Sequence, residues 1–585
     1  MGFVLIYSGY TGQLLTGDHF NEKGCLALKK KWWKESVVYQ IYPRSFKDSN
    51  GDGIGDLQGI IEKLDYLAFL GIDCIWLCPI FKSPNYDNGY DISDYKDIMD
   101  EFGTMEDFDR LLDEAHKRGI KVLLDFVANH TSDEHPWFIE SRSSKENPKR
   151  DWYIWRDGKN GKEPNNWKSI FEGSVWEYDE RTDQYYFHLF SKNQPDLNWE
   201  NKEVRKALKD IVLWWIHKGV DGFRIDAVSH IKKEPGFPDL PNPGREDYVD
   251  AMKYTRNVKG IEQWLEEFSR DTFKKYDIMT VGEANGVTIE DAKKWVDEEN
   301  GYVNMIFQFE HLHLWEKKNR GKTDVVTLKN ILAKWQKGLE NTGWNALFLE
   351  NHDLVRSVSA LGNDRQYWRQ SAKMLGAFYF LMQGTPFIYQ GQEIGMTNVQ
   401  FPDIEDYDDI RMRNYYAEER KKGRSHEEIM EVVRRQSRDN ARTPMQWSSG
   451  PMAGFTSAER AWIGINENYT EINVEQQLSD PDSILHFYRD MVRLRKKYEL
   501  FVYGAFTLHL PEHPKLAVYT RTLGAKEAIV ICNFSEEDTL FSRPAGITPG
   551  RSKLLLANYG NASVTFPKTM VLKPYETRVY LYGCE

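Results

Sequence analysis

Cysteine is scarce in this chain and nowhere grouped. The five present (Cys25, Cys74, Cys78, Cys532 and Cys584) form no Cys-x-x-Cys pair and no cluster with histidine, which excludes a disulfide framework or a zinc site as the organising principle. Cys74 and Cys78 stand four apart in an apolar run, where an extended chain separates them by roughly 13 Å, beyond disulfide reach. Both are expected in the core, and a reducing compartment is expected around them. Long hydrophobic runs are missing as well. Nothing approaches the roughly 20 apolar residues of a membrane span, and Phe3-Val4-Leu5-Ile6-Tyr7 has no basic flank and is shorter than a signal segment. The expectation is a cytoplasmic protein without a membrane partner. There is no basic excess: 77 Lys and Arg against 89 Asp and Glu leave a net charge of −12, which argues against nucleic acid or anionic lipid as a partner. Internal repeats and low-complexity tracts are absent too.

What is present is 585 residues of ordinary globular composition, 41% hydrophobic and 28% charged, enough for two to four domains. Aromatics reach 14%, with 19 Trp and 31 Tyr, a hint of flat hydroxylated ligands stacked on rings. From Trp32 onward, β-branched and aromatic runs alternate with amphipathic patterns, the signature of βα units. Strands are expected at 37–42, 72–77, 121–126, 222–225, 278–281, 304–309, 345–349 and 386–390. Eight such units predict an α/β fold, a (β/α)8 TIM barrel with catalytic residues at the C-terminal strand ends. Residues 131–200 lack helical periodicity and read as a subdomain inserted after strand 3. The segment 203–217 has apolar positions at helical spacing and resumes the barrel. Charge of both signs over 407–438 reads as a solvated helical pair. Beyond about Tyr503, period-two alternation predicts a C-terminal antiparallel β-sandwich. The expected division is 1–28 a leader or extension, 29–130 and 201–505 the barrel, 131–200 the insertion and 506–585 the sandwich.

Three acidic residues stand at strand ends: Asp226 after Gly222-Phe223-Arg224-Ile225, Glu283 after Thr280-Val281-Gly282, and Asp353 in Glu350-Asn351-His352-Asp353. Any one alone reads equally well as a helix cap or a surface ion-pair partner; all three together point to a barrel mouth lined with carboxylates. Asp125-Phe126-Val127-Ala128-Asn129-His130 ends strand 3, and Arg224, two residues before Asp226, shares its strand face. A guanidinium there is expected to hold Asp226 ionised. The loop 48–56, Asp-Ser-Asn-Gly-Asp-Gly-Ile-Gly-Asp, sets oxygen ligands at alternate positions like the start of an EF-hand, with Gly59 in place of the closing Glu. It predicts one structural Ca²⁺ or Mg²⁺ held by Asp48, Asn50, Asp52, the Ile54 carbonyl and Asp56, without a catalytic role. A loop of self-satisfied Asx turns is the alternative.

These stretches, with Val38-Tyr39-Gln40-Ile41-Tyr42-Pro43-Arg44-Ser45-Phe46, Gln194-Pro195-Asp196-Leu197-Asn198 and 438–447 (Arg-Asp-Asn-Ala-Arg-Thr-Pro-Met-Gln-Trp), fall in one order. The chain resembles glycoside hydrolase family thirteen, the α-amylase superfamily, and within it the branch of bacillar α-glucosidases and oligo-1,6-glucosidases. The likeness runs from about Lys30 to Leu581 and supports the same metal loop. It implies a retaining mechanism with Asp226 as nucleophile and Glu283 as general acid and then base, raised in pKa to begin protonated. Asp353, His130 and His352 would grip sugar hydroxyls, and Asp87, Tyr90, Phe190, Arg224 and Arg442 would surround the nonreducing glucose in a closed pocket, hence exo cleavage. In this branch, enzymes for α-1,6 bonds tend to carry Val after the nucleophile and α-1,4 enzymes a smaller residue or Thr. Ala227 stands there, either leaving room for a 1,4-linked sugar or merely packing behind the strand. The stretch 312–324 lacks the basic cluster of sucrose isomerases, so hydrolysis is expected over isomerisation. The leading expectation is an exo-α-1,4-glucosidase acting on maltose and short maltooligosaccharides, as a monomer or weak homodimer. The alternatives are an oligo-1,6-glucosidase or dual specificity, more distantly a phosphorylated or trehalose-like disaccharide substrate, and, from another class, an inactive barrel serving as a binding or transport-associated subunit.

Overall fold

Eight short parallel strands, each at an expected β-branched or aromatic run, build one sheet: β1 (Val38–Ile41), β2 (Cys74–Leu77), β3 (Lys121–Val127), β4 (Gly222–Asp226), β5 (Met279–Ala284), β6 (Met305–Gln308), β7 (Ala346–Leu347) and β8 (Thr385–Tyr389). Sequence neighbours are sheet neighbours, β8 pairs back onto β1, and a parallel bridge between Ile306 and Asn345 joins the sixth strand to the seventh. The ring is therefore closed, as a (β/α)8 barrel requires. The computed structural model describes residues 30–244, 246–316, 323–547, 550–560 and 562–583; the expected leader 1–28, Cys25, Cys584 and part of 312–324 lie outside them.

The strands read as apolar runs because both faces are covered. Trp76, Leu123, Met279, Val281, Phe307 and Phe387 fill the barrel interior. Gly222 opens β4 because the next strand passes against it: a Cβ there would lie 1.9 Å from the Met279 carbonyl oxygen. The helix expected at 203–217 runs Lys202–Lys218, starts on the Asn201 side chain and stops at Gly219 with φ 111°, the left-handed cap that glycine supplies. It buries Val204, Leu208, Ile211, Val212 and Trp215.

After β3 the chain leaves the barrel and forms a small antiparallel sheet from Trp155–Arg156, Trp176–Asp179 and Gln184–Phe187. A bridge between His130 and Asp196 ties the return of this insertion to the end of β3. Val249–Asp250, from the β4–β5 connection, pairs with Trp167–Lys168 of the insertion. The charged stretch after β8 does fold as two helices, Ile410–Lys421 and His426–Gln436. They close on Tyr407, Met412, Ile429, Met430 and Val433, and the Asn414 amide donates to the Phe171 carbonyl across to the insertion at 3.0 Å.

The C-terminal part is an antiparallel sheet of β9 (Ala505–His509), β10 (Leu516–Leu523), β11 (Lys526–Asn533), β12 (Ser552–Ala557) and β13 (Thr577–Tyr582). The pair Thr539–Ser542 and Thr569–Leu572 faces it, with Phe541 and Leu572 meeting Val518, Ile529, Ile531 and Tyr580. Buried cations fasten this sandwich to the barrel. Lys329 donates to the carbonyls of Leu510, His513 and Leu516 at 2.6 to 2.8 Å, and Arg521 donates to those of Leu381, Phe501, Val502 and Gly504. Cys74, Cys78 and Cys532 are buried free thiols. Among the described residues no helix is long and apolar enough to cross a membrane.

Candidate active site

Arg224 organises the mouth of the barrel. It is 3% exposed, points inward from β4, and its Nη1 donates to Asp125 Oδ1 at 2.9 Å and to Asp226 Oδ1 at 2.6 Å. Its Nη2 donates to Glu283 Oε2 at 2.9 Å. One guanidinium thus gathers carboxylates from the ends of β3, β4 and β5. Glu283 Oε2 also accepts the Ala227 backbone N–H at 2.8 Å. That N–H is aimed by a left-handed turn, φ 45° and ψ 26°, immediately after β4. Such a conformation is costly for a β-branched residue and tolerable for alanine, so the backbone as well as the ligand favours a small side chain at 227.

The sequence led us to expect Arg224 to keep Asp226 ionised. In the structure burial pushes the Asp226 carboxyl well above the usual carboxylate range, Arg224 opposes this, and Glu283 and Asp125 push it further up. Burial prevails because the guanidinium's charge is divided among three anions.

Asp353 lies opposite, on the segment after β7, with the more exposed carboxylate of the set. Burial would raise its pKa, but His352, Arg438 and Arg442 hold it well below the ordinary range. Arg442 Nη2 donates to Asp353 Oδ1 at 2.8 Å, and the His352 ring contacts Oδ2 at 3.1 Å. For His352, burial works against charge, while Asp353 and Cys78 lift the ring to about 10; the Gln40 amide lies 2.8 Å from its Nδ1. Tyr90 stacks on that ring at 5.2 Å, and its hydroxyl reaches both Asp125 Oδ2 (2.9 Å) and His352 Nε2 (2.7 Å).

Asp87, His130 and Phe190 complete the wall. Gln194 Nε2 lies 3.1 Å from both Asp87 Oδ2 and His130 Nε2. Phe190 packs 5.1 Å from the His130 ring and 5.7 Å from Phe171. All eleven residues expected in the pocket therefore lie in one contiguous network around the strand ends. Arg438 was not among them: its guanidinium spans from Asp87 to Asp353, 3.4 Å from each, with its Nε on Asp409 at 2.9 Å. The available signal was that Arg438 precedes Arg442 by one helical turn.

In the 48–56 loop, Asp48 Oδ1 accepts from the N–H of Asn50 and Gly51 and Oδ2 from Gly53. Asn50 and Asp52 make the next two Asx turns, and Asp56 caps a helix through the Gly59 N–H. A Cβ on Gly59 would meet the Lys47 carbonyl oxygen at 2.0 Å, which is why no closing Glu stands there. Among the described residues no group of three or more His, Cys, Asp or Glu side chains is arranged to hold a metal. The oxygen-only donor set nevertheless fits a hard cation, since an ionised carboxylate keeps lone pairs beyond those its Asx turn uses.

The order of these elements is that of a known family: residues 40–504 match the α-amylase catalytic domain. The chain belongs to this family, and it is a glycoside hydrolase. It is 56% identical to the probable oligo-1,6-glucosidase 3 of Bacillus subtilis (strain 168), covering 95% of this chain and 100% of that one. It is 54% identical to the oligo-1,6-glucosidase of Parageobacillus thermoglucosidasius, over 94% of this chain and 99% of that one. The crystal structure of the trehalose-6-phosphate hydrolase of Bacillus licheniformis in complex with PNG superposes with a TM-score of 0.90 at 44% identity, covering 95% and 100% of the two chains.

Proposed function

We propose that this glycoside hydrolase is a retaining exo-α-glucosidase of the oligo-1,6-glucosidase type, removing glucose from the nonreducing end of isomaltose and other short α-1,6-linked sugars. The observation that carries the linkage is identity above half, over nearly the full length, to relatives named for oligo-1,6 activity. They support the α-1,6 alternative better than the α-1,4 expectation built on Ala227, whose left-handed backbone gives it a second reason to be small. Alanine still leaves space that valine would fill, and this favours α-1,4-linked sugars as secondary substrates.

In this reading Asp226 attacks the anomeric carbon while Glu283 protonates the leaving oxygen. The glucosyl-enzyme then forms and is hydrolysed by a water that Glu283 deprotonates. A guanidinium bridging both carboxylates supports the short separation, about 5 Å, that a covalent route needs. Attack requires Asp226 to be ionised with the transferable proton on Glu283. Asp353, held ionised by the guanidiniums of Arg438 and Arg442 and by the neighbouring His352 ring, would bond hydroxyls more strongly as positive charge develops on the sugar ring. Arg438, tying Asp87 to Asp353, would close the far end of the pocket and limit release to one glucose. The 48–56 loop would hold a structural Ca²⁺ or Mg²⁺ through Asp48, Asn50, Asp52, the Ile54 carbonyl and Asp56; chelation is then expected to lower the melting temperature, and unchanged melting would speak against the ion.

The test is initial-rate glucose release from isomaltose, maltose and trehalose 6-phosphate side by side. Fastest release from isomaltose is expected. Release from maltose alone would return the α-1,4 reading, and cleavage only of the phosphorylated sugar would replace both.

A further inference from the structure

Lys233, in the segment that follows the short helical turn Val228–His230 after β4, is 7% exposed and plays no part in the chemistry above. Its ammonium donates to Asn129 Oδ1 and to the His230 carbonyl, both at 2.8 Å, and pairs with Asp196 Oδ2 at 2.5 Å. An ammonium can only donate, so the Asn129 atom facing it must be the amide oxygen. The Asn129 Nδ2 is thereby turned the other way, toward Asp196 Oδ2 at 3.0 Å and His130 Nδ1 at 3.2 Å. A nitrogen that receives an N–H is unprotonated, which leaves the proton of the neutral ring on Nε2.

The neighbour across Nε2 is fixed as well. Gln194 Oε1 accepts the Ser191 N–H at 3.0 Å and its Nε2 donates to Asp87 Oδ2 at 3.1 Å. Gln194 Nε2 and His130 Nε2 then lie side by side at 3.1 Å as two donors. A hydroxyl oxygen placed beside both, with two lone pairs, can accept from each. Burial keeps the His130 ring neutral, pushing it down to about 4.

We infer that Lys233 is a positioning residue: acting through Asn129 and Asp196, it fixes the tautomer of His130 so that Nε2–H and the Gln194 amide together present two donors to one sugar hydroxyl. This rests on the glucosidase reading of the pocket. It makes the Gln194–Asn198 stretch and the segment after β4 a single device, joined by a buried ion pair.

The experiment is steady-state hydrolysis of p-nitrophenyl α-glucoside by the full chain and three variants. Lys233→Met is expected to lower kcat/KM about 100-fold, mostly in kcat, because a lost donor matters most where charge develops. Lys233→Arg, which still donates to Asn129, is expected to restore most of it. Asn129→Asp is isosteric but faces His130 Nδ1 with an acceptor, and is expected to be as damaging as Lys233→Met. Wild-type kcat/KM in Asn129→Asp, or Lys233→Arg no better than Lys233→Met, would overturn the inference. If Lys233→Met does not fold, Asn129→Asp decides. Absence of hydrolysis by the unaltered chain would instead sink the glucosidase reading and this inference with it.

Discussion

At the scale of single residues the site is a distribution of few cations among many anions. Asp226→Asn keeps the shape and one hydrogen bond to Arg224 while removing the attacking oxygen. Turnover on p-nitrophenyl α-glucoside is expected to fall at least about 10⁴-fold with the melting temperature little changed, and substantial residual activity would remove Asp226 from the nucleophile's role. Ala227→Val adds two methyl groups beside the leaving sugar at a strained backbone position. The strain is common to every substrate and cancels in a ratio, so the ratio of isomaltose to maltose turnover is expected to rise about 10-fold; an unchanged ratio would take residue 227 out of the linkage argument. The carboxylates were legible in the sequence because strand-end acids converge in any such barrel. The part Arg438 plays was not, because its partner Asp87 is 351 residues away and nothing local marks the pairing. The proton balance also escaped the sequence. Arg224 next to Asp226 suggests a plain ion pair, and only the structure shows the same guanidinium shared with Asp125 and Glu283.

At the scale of elements, runs with a clear period were readable and those without one were not. All eight barrel strands and the two helices after β8 lie where the pattern puts them, although β7 shrinks to Ala346–Leu347. The pairing of Val249–Asp250 with Trp167–Lys168 was invisible, since two residues carry no periodicity. Equally hidden were the cations that seat the sandwich on the barrel, because their acceptors are backbone carbonyls, which no side-chain motif records. Arg521 is fully buried, and Arg521→Met would leave several of those carbonyls without a donor. A loss of roughly 3 kcal/mol in urea unfolding is expected, with kcat on p-nitrophenyl α-glucoside unchanged in the folded fraction; an unchanged midpoint would show the seam to be held by apolar contact alone.

At the scale of the whole molecule, buried histidines and buried carboxyls pull stability in opposite directions on the acid side. Burial depresses His130 and His188 to about 4, and His135, His230 and His311 to about 3. Unfolded, each takes a proton near 6.5, so between those values the unfolded chain binds more protons than the folded one. The histidine contribution to stability is therefore expected to fall as pH drops below about 6.5 and to level off only near 3, while Asp91 and Asp439, raised by burial to about 7 and about 6, contribute with the opposite sign. His352 has the opposite sign: raised to about 10, it stabilises fully below about 6.5, and that contribution is lost as pH rises through 10. Removing one such histidine isolates its share: the melting temperature of His135→Gln relative to that of the unaltered chain should rise as pH falls from 6.5 to 4. A difference that does not change with pH between 4 and 6.5 would contradict this account.

The shared guanidinium also has a consequence for descent. With Arg224 serving positions 125, 226 and 283 together, a substitution at any one of them changes the charge that the other two experience. Variation around β4 is then filtered in combinations, and changes that are harmful singly become acceptable only alongside a compensating partner.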